Sequence, residues 1–263
     1  MAIKIAMYNQ KGGAGKTSGT FQLVGLLANE HNKKVLAVDI DPQGNLTKMF
    51  SSYTTKESFP LLVDVLENRA DLNEAILQVL FQSRANAKPK YYNVDLIGTG
   101  KHFTESLVNK EVTCLDEIIK GIEDRYDYII FDCPTQSEIS LLMVQTLIAT
   151  NYIVCPCSLD TDSTDGYGAL LDTVTNIKVE GYNNNLSVIG MFYSGVGRCA
   201  YENWLIETTQ EAFGEQYLGS IRISKDVKES RHYSRPLTWY KKNSDVTNDY
   251  RFLLDNIMKI VEK

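Results

Sequence analysis

The arrangement of glycines near the N-terminus leaves few folds open. An apolar stretch at residues 3–8 runs without a break into Asn9-Gln10-Lys11-Gly12-Gly13-Ala14-Gly15-Lys16-Thr17-Ser18, and a helical period begins at Lys16. A strand, a glycine-rich loop and a helix N-terminus in that order belong at the C-terminal edge of a parallel sheet, where such sheets bind ligands. Glycines let the backbone curl so that successive N–H groups converge on phosphate oxygens. The helix adds the positive end of its dipole.

The rest of the chain repeats the alternation. Short runs rich in β-branched residues occur at residues 3–8, 34–40, 94–97, 128–132, 152–155 and 186–192. Between them, helical periods occupy residues 16–31, 104–122, 138–149, 164–179 and 200–213. Several runs are almost continuously apolar, as strands covered on both faces must be. The pattern predicts an α/β fold: a doubly wound, mostly parallel sheet with helices on both faces. With no repeat and no long linker, residues 1–263 are expected to form a single domain. Within it, residues 50–90 read as a helical insertion with short helices at 61–66 and 72–77, and residues 220–263 as a C-terminal helical region. Residues 83–89 and 181–185 read as polar loops.

Composition narrows the partners. The 27 Lys and Arg against 33 Asp and Glu give a net charge of −6, so a polyanion would need a local basic patch. No run approaches the length of apolar sequence that crosses a bilayer. The N-terminus has neither the charged region nor the cleavage site of a signal peptide, so a cytoplasmic protein is expected. The five cysteines form no paired metal pattern, and buried thiols are the better reading of Cys155 and Cys157.

The loop residues divide the work of holding a triphosphate. Backbone N–H groups of Gly12, Gly13, Ala14, Gly15 and Ser18 would cradle it, Lys16 would reach the β- and γ-phosphates, and the Thr17 hydroxyl would ligate Mg²⁺. ATP and Mg²⁺ are therefore the expected cofactors. Gln10 stands where the ordinary Gly-x-x-x-x-Gly-Lys-Thr pattern has glycine, and a second lysine, Lys11, stands beside it. Two ammonium groups crowded by one loop onto one triphosphate would repel each other, so Lys11 is expected to serve another purpose. Two further strands end in acids. Asp39 and Asp41 sit at i and i+2 in Val38-Asp39-Ile40-Asp41-Pro42-Gln43-Gly44, and Asp132 closes Tyr128-Ile129-Ile130-Phe131. An apolar strand that delivers one carboxylate to its end is the usual way to aim an acid at Mg²⁺, the role expected of Asp132.

With these motifs in hand, the chain resembles the ParA/MinD ATPases, whose deviant Walker A loop reads Lys-Gly-Gly-x-Gly-Lys-Thr, a class of P-loop NTPase. The resemblance covers nearly the whole chain. It implies that Lys11 reaches the partner's phosphates across an ATP-dependent homodimer, much as an arginine finger acts in trans. It also implies that Asp41, in the Asp-x-Asp-Pro-Gln switch, positions the attacking water, while Asp39 supports the Mg²⁺ and loop network. Lys11, Lys16 and Asp41 are then the catalytic candidates. After Asp132 the family commonly continues with two prolines, and Thr135 replaces the second of them.

The branch within the family turns on residues 222–242, which hold seven Lys and Arg against two acids. In ParA/Soj-type members the matching region, with an arginine at the position of Arg198, binds non-specific double-stranded DNA. Arg198, Arg222, Lys225, Lys228, Arg231 and Arg235 are the DNA-binding candidates this implies. Such members drive plasmid or chromosome partition, sit on the nucleoid and are stimulated by a ParB-like partner. The family's Ile-Pro-Arg turn is Ile221-Arg222-Ile223 here, and Asp226 replaces a residue that is often basic. The alternative is a MinD-like ATPase that holds a membrane through a C-terminal amphipathic helix. Tyr250, Leu253, Leu254, Ile257, Met258 and Val261 do form a stripe, but mixed charges flank it, so packing against the sheet is expected and no membrane contact. With the first strand beginning at Ile3, no helix-turn-helix is expected ahead of it. The single tyrosine in the last twenty residues and the isolated Cys133 argue against a tyrosine kinase and an iron–sulfur switch of related fold.

Overall fold

The computed structural model describes residues 1–51, 58–81, 88, 90–100, 111–135, 140–159 and 163–263. Their strands are β1 (Ile3–Met7), β2 (Val35–Asp39), β3 (Ile76–Phe81), β4 (Lys90–Ile97), β5 (Tyr128–Asp132), β6 (Tyr152–Cys157), β7 (Ser187–Val196) and β8 (Tyr217–Arg222). They pair in the order β3-β4-β2-β5-β1-β6-β7-β8. Every pairing is parallel except that of β3 with β4. The chain winds from β1 toward β2 and β4, returns through β5, and crosses β1 to build β6, β7 and β8. β1 therefore lies at the point where the winding changes direction, and the loop after it opens into the crevice that this topology creates.

The helices are α1 (Lys16–Asn29), α2 (Asn45–Ser51), α3 (Leu62–Leu66), α4 (Leu72–Ala75), α5 (Cys114–Lys120), α6 (Leu141–Ile148), α7 (Ser163–Val179), α8 (Ala200–Phe213), α9 (Lys225–His232), α10 (Leu237–Tyr240) and α11 (Asp245–Val261). Alternation along the strands sorts the core into two layers. Ile5, Met7, Ala37 and Ile130 pack with apolar residues of α1, α2 and α11, whereas Ala6, Tyr8, Leu36, Val38, Ile129 and Phe131 pack with those of α5, α6 and α7. The stripe on α11 is part of the first layer, with Tyr250, Leu253, Leu254, Ile257 and Val261 buried.

Two expectations need correction. Residues 72–77 form one helical turn and then pass into β3, so the insertion is only partly helical. Burial alternates along Leu77, Val79 and Phe81, which favours an edge strand antiparallel to β4. The region from residue 220 likewise begins in a strand, because β8 runs to Arg222 before α9 starts. Residues 104–110 and 138–139 of two expected helices, and nearly all of the expected loop at 83–89, lie outside the described residues.

The C-terminal elements are fastened to α1 by buried polar contacts. Gln22 of α1 donates from Nε2 to Ser230 Oγ (2.8 Å) and accepts the Leu237 N–H at Oε1 (2.7 Å). At the end of α1, Glu30 accepts Arg251 Nε (2.7 Å) and Nη2 (2.6 Å) and the Thr238 hydroxyl (2.8 Å). The Arg251 hydrogen bonds hold the Glu30 carboxyl below its ordinary value of 4.5. A depressed folded-state pKa contributes stability above the ordinary value and loses it as pH falls through the depressed one. Glu30→Gln is therefore expected to cost about 1 kcal/mol in urea unfolding at neutral pH, a modest figure because the pair is partly exposed. The gap from wild type should narrow as pH falls below 4.5 and close once pH is below the depressed value. An equal gap at both pH values would assign the loss to packing rather than to charge.

Candidate phosphate-binding site

The loop after β1 is held open by Asn9 and closed at its far end by glycine. Asn9 is buried, donates from Nδ2 to the Pro156 carbonyl of β6 (2.7 Å), and accepts the Lys11 N–H at Oδ1 (2.8 Å). Gly13 and Gly15 have φ of 76° and 94°, and a Cβ at Gly15 would run into the Ser194 side chain on β7. Any other residue at position 15 would combine backbone strain with a clash.

The result is a cleft of about 360 Å³ lined by loop residues 13–18 together with Asp41, Asn45, Thr135, Ser194 and Arg231. Lys16 lies on its floor, and its ammonium donates to Asn9 O (2.8 Å), Lys11 O (2.9 Å) and Thr135 Oγ1 (2.8 Å). Burial lowers its pKa, and the nearby acids oppose that shift. An ammonium so placed is the counter-charge a phosphate needs, and it is held by neutral acceptors that a phosphate oxygen can displace.

The acids meet below the loop. β2 and β5 are neighbours in register, with Asp39 opposite Asp132. Burial first, and Asp39 second, push the Asp132 carboxyl well above its ordinary range. Its Oδ1 accepts the Thr20 hydroxyl (3.2 Å), while its buried Oδ2 has no hydrogen-bond partner. A buried carboxylate oxygen with no donor is costly unless a cation meets it. Together with the Thr17 hydroxyl, this oxygen fits a Mg²⁺ ion bound against the loop. Asp39 is different. Its Oδ2 accepts the Thr47 N–H and hydroxyl (both 2.7 Å), and its Oδ1 accepts the Asp41 N–H (3.1 Å). Burial raises its pKa to about 6, against the pull of those hydrogen bonds. The geometry makes it the anchor of α2 and of the Asp41 turn. Asp41 accepts the Gln43 N–H at Oδ1 (2.9 Å) and faces the cleft.

Lys11 stands outside the residues that line its own cleft. Of the basic candidates, Lys225 and Lys228 are exposed on α9, Arg235 is half-buried beyond it, and Arg198 is exposed in the bend after β7. Arg222 is committed to acids, with Nε 2.7 Å from Asp249 and Nη1 2.9 Å from Asp245. Arg231 lines the phosphate cleft and donates to Ser18 Oγ (3.3 Å). Sequence reasoning gave no role to Asn45, Thr20, Thr47 or Ser194. A hydroxyl one turn into α1 was the available signal for Thr20; Asn45 and Thr47 closely follow the Asp41 turn, and Ser194 comes from a distant strand. Cys155 and Cys157 are buried, with sulfurs 3.8 Å apart.

A mostly parallel sheet with a lysine-bearing glycine loop after its central strand, and beside it an acid with one buried oxygen unpartnered, defines a P-loop NTPase. The chain belongs to the AAA domain family AAA_31, matched over residues 2–188, and is a P-loop ATPase of the ParA/MinD superfamily. It is 28% identical over 263 residues to the chromosome-partitioning ATPase Soj of Treponema pallidum, covering 98% of both chains. Its fold is similar to a plasmid partition protein of Borrelia burgdorferi bound to AMPPNP, with a TM-score of 0.77 at 18% identity over 98% of this chain and 99% of that one. It is also similar to the septum site-determining protein MinD of Pyrococcus horikoshii in complex with Mg-ADP, with a TM-score of 0.74 at 22% identity over 99% and 97%. Among the described residues, no helix is long and apolar enough to cross a membrane.

Proposed function

We propose that residues 1–263 act as one ATPase domain of the ParA/Soj type. On this reading it binds Mg-ATP, forms an ATP-dependent homodimer, holds non-specific double-stranded DNA of the nucleoid in the cytoplasm, and drives plasmid or chromosome partition. A ParB-like centromere-binding partner stimulates hydrolysis and release. The observation that carries this reading is the cleft with Lys16 on its floor and the bare Asp132 oxygen beneath it, in a chain alike from end to end to a partition ATPase. Bound Mg²⁺ would neutralise the phosphate charge, held by Thr17 and Asp132 with Asp39 as support. Lys16 binds the β- and γ-phosphates, residues 12–18 orient them, and Asp41 orients the attacking water.

Lys11 lies outside its own cleft, and this supports its action on a partner's phosphates. Lys11→Ala should therefore keep nucleotide binding but lose the ATP-dependent dimer and turnover. Light scattering that finds a normal ATP dimer with undiminished hydrolysis would exclude this role.

DNA contact is proposed for the surface around Arg198, Lys225 and Lys228, with Arg222 and Arg235 at its margin. Phosphate contacts act through counterion release, so binding should weaken with salt at a log–log slope of about −0.9 per contact. In a symmetric dimer each substituted charge is lost twice. The paired change Lys225→Ala with Lys228→Ala should flatten the slope and weaken AT-rich and GC-rich duplexes alike, with basal ATPase nearly unchanged. The direct test is co-sedimentation with DNA and with anionic liposomes, each with ATP, ADP or no nucleotide. Binding to liposomes and not to DNA would favour the MinD-like reading. Burial of the α11 stripe weighs against that alternative, because a side chain packed on the sheet cannot enter a bilayer.

A further inference from the structure

We infer that Arg231 is a phosphate ligand of the nucleotide cleft, set against the α-phosphate end, rather than a contact to DNA. This deepens the nucleotide reading of residues 13–18 and rests on it. Among the described residues that line the cleft, Lys16 and Arg231 are the cations and Asp41 is the acid. A nucleoside triphosphate brings about four negative charges beside the Asp41 carboxylate, and one ammonium together with a bound Mg²⁺ would balance only part of them. Arg231 reaches Ser18, one residue past the Thr17 assigned to Mg²⁺ and two past the lysine assigned to the β- and γ-phosphates. An arginine at that end meets the phosphates shared by ADP and ATP. The hydroxyl contact, at 3.3 Å, is at the long end for a hydrogen bond and engages one of five guanidinium donors. A phosphate oxygen offers a stronger, charge-assisted acceptor.

The fold explains why this arginine parts from its neighbours. Steps of three residues fall about 60° short of a full turn on a helix, so Lys225, Lys228 and Arg231 progress around α9 toward α1. Gln22 fixes that approach, because it ties Ser230, the residue before Arg231, to α1 just beyond the loop. All three are exposed, but Arg231 lines the mouth of the cleft and the two lysines do not.

The test is titration of wild type, Arg231→Ala, Arg231→Lys, the Lys225/Lys228 alanine pair and Lys16→Ala with fluorescent methylanthraniloyl-ATP and methylanthraniloyl-ADP in Mg²⁺. Salt dependence of binding to a random duplex is then measured at saturating nucleotide. Arg231→Ala should weaken ATP and ADP analogues alike by about tenfold, the scale of one partly exposed charged hydrogen bond. Arg231→Lys should recover only part of that, since an ammonium lacks the planar fork. The lysine pair should leave both affinities within about twofold while flattening the DNA slope, and Arg231→Ala should keep the wild-type slope. Nucleotide affinity of Arg231→Ala within twofold of wild type, or a slope as flat as that of the lysine pair, overturns the inference. Undiminished binding by Lys16→Ala would instead overturn the nucleotide reading on which it stands.

Discussion

Lys16→Ala is expected to lower affinity for Mg-ATP by roughly a hundredfold or more. The ammonium lies buried on the cleft floor and donates to three neutral oxygens, of Asn9, Lys11 and Thr135. Hydrogen bonds to charged groups are worth roughly 1.5–3 kcal/mol each, so two lost phosphate contacts reach that magnitude. The substitution also leaves buried acceptors without a donor, so a lower melting temperature is expected as well. Titration with a fluorescent ATP analogue, at a temperature where the variant is folded, separates the two effects. Affinity within about twofold of wild type would mean that the loop has been misread.

Asp41→Ala should have a similarly large effect on a different quantity. Removing a water-orienting carboxylate takes away a contact made in the transition state and leaves ground-state binding largely intact. Hydrolysis should fall about a hundredfold, the lower range for a positioned acid–base group, while ATP affinity changes little. The variant should accumulate as the ATP dimer and hold DNA longer. Asp41 also shapes its own turn through the Gln43 N–H. Asp41→Asn keeps that acceptor and loses the charge, so it should be as slow as alanine if the carboxylate acts on water. Wild-type turnover in either variant rules the assignment out.

The difference between these two residues shows how legible the site was. Lys16 and Thr17 follow a strand and three glycines within a few positions, and local sequence fixes what such a loop can hold. The pairing of Asp39 with Asp132 could not be read from their own segments, because it depends on β2 and β5 becoming neighbours. Two strand-end acids look alike in sequence. Thr47 and the Asp41 N–H make one an anchor, and the bare Oδ2 suits the other to the Mg²⁺ role proposed for it. Residues 72–77 show the converse failure. Their apolar spacing suits one helical turn, and the two-residue period of β3 becomes clear only where β4 is there to receive it.

Sequence by itself determined the layered α/β architecture, the phosphate loop and the strand-end positions of the three acids. Each follows from short-range rules: the period of apolar residues, the freedom of glycine and the alternation of side chains along a strand. Tertiary structure alone decided where the charges of the basic segment stand. Its seven cations look interchangeable on the chain, but Asp245 and Asp249 claim Arg222, Gln22 draws Ser230 and with it Arg231 toward the cleft, and Lys225 and Lys228 line no part of that cleft. A charge acts over the distance to its nearest partners, and packing sets that distance between residues some two hundred positions apart.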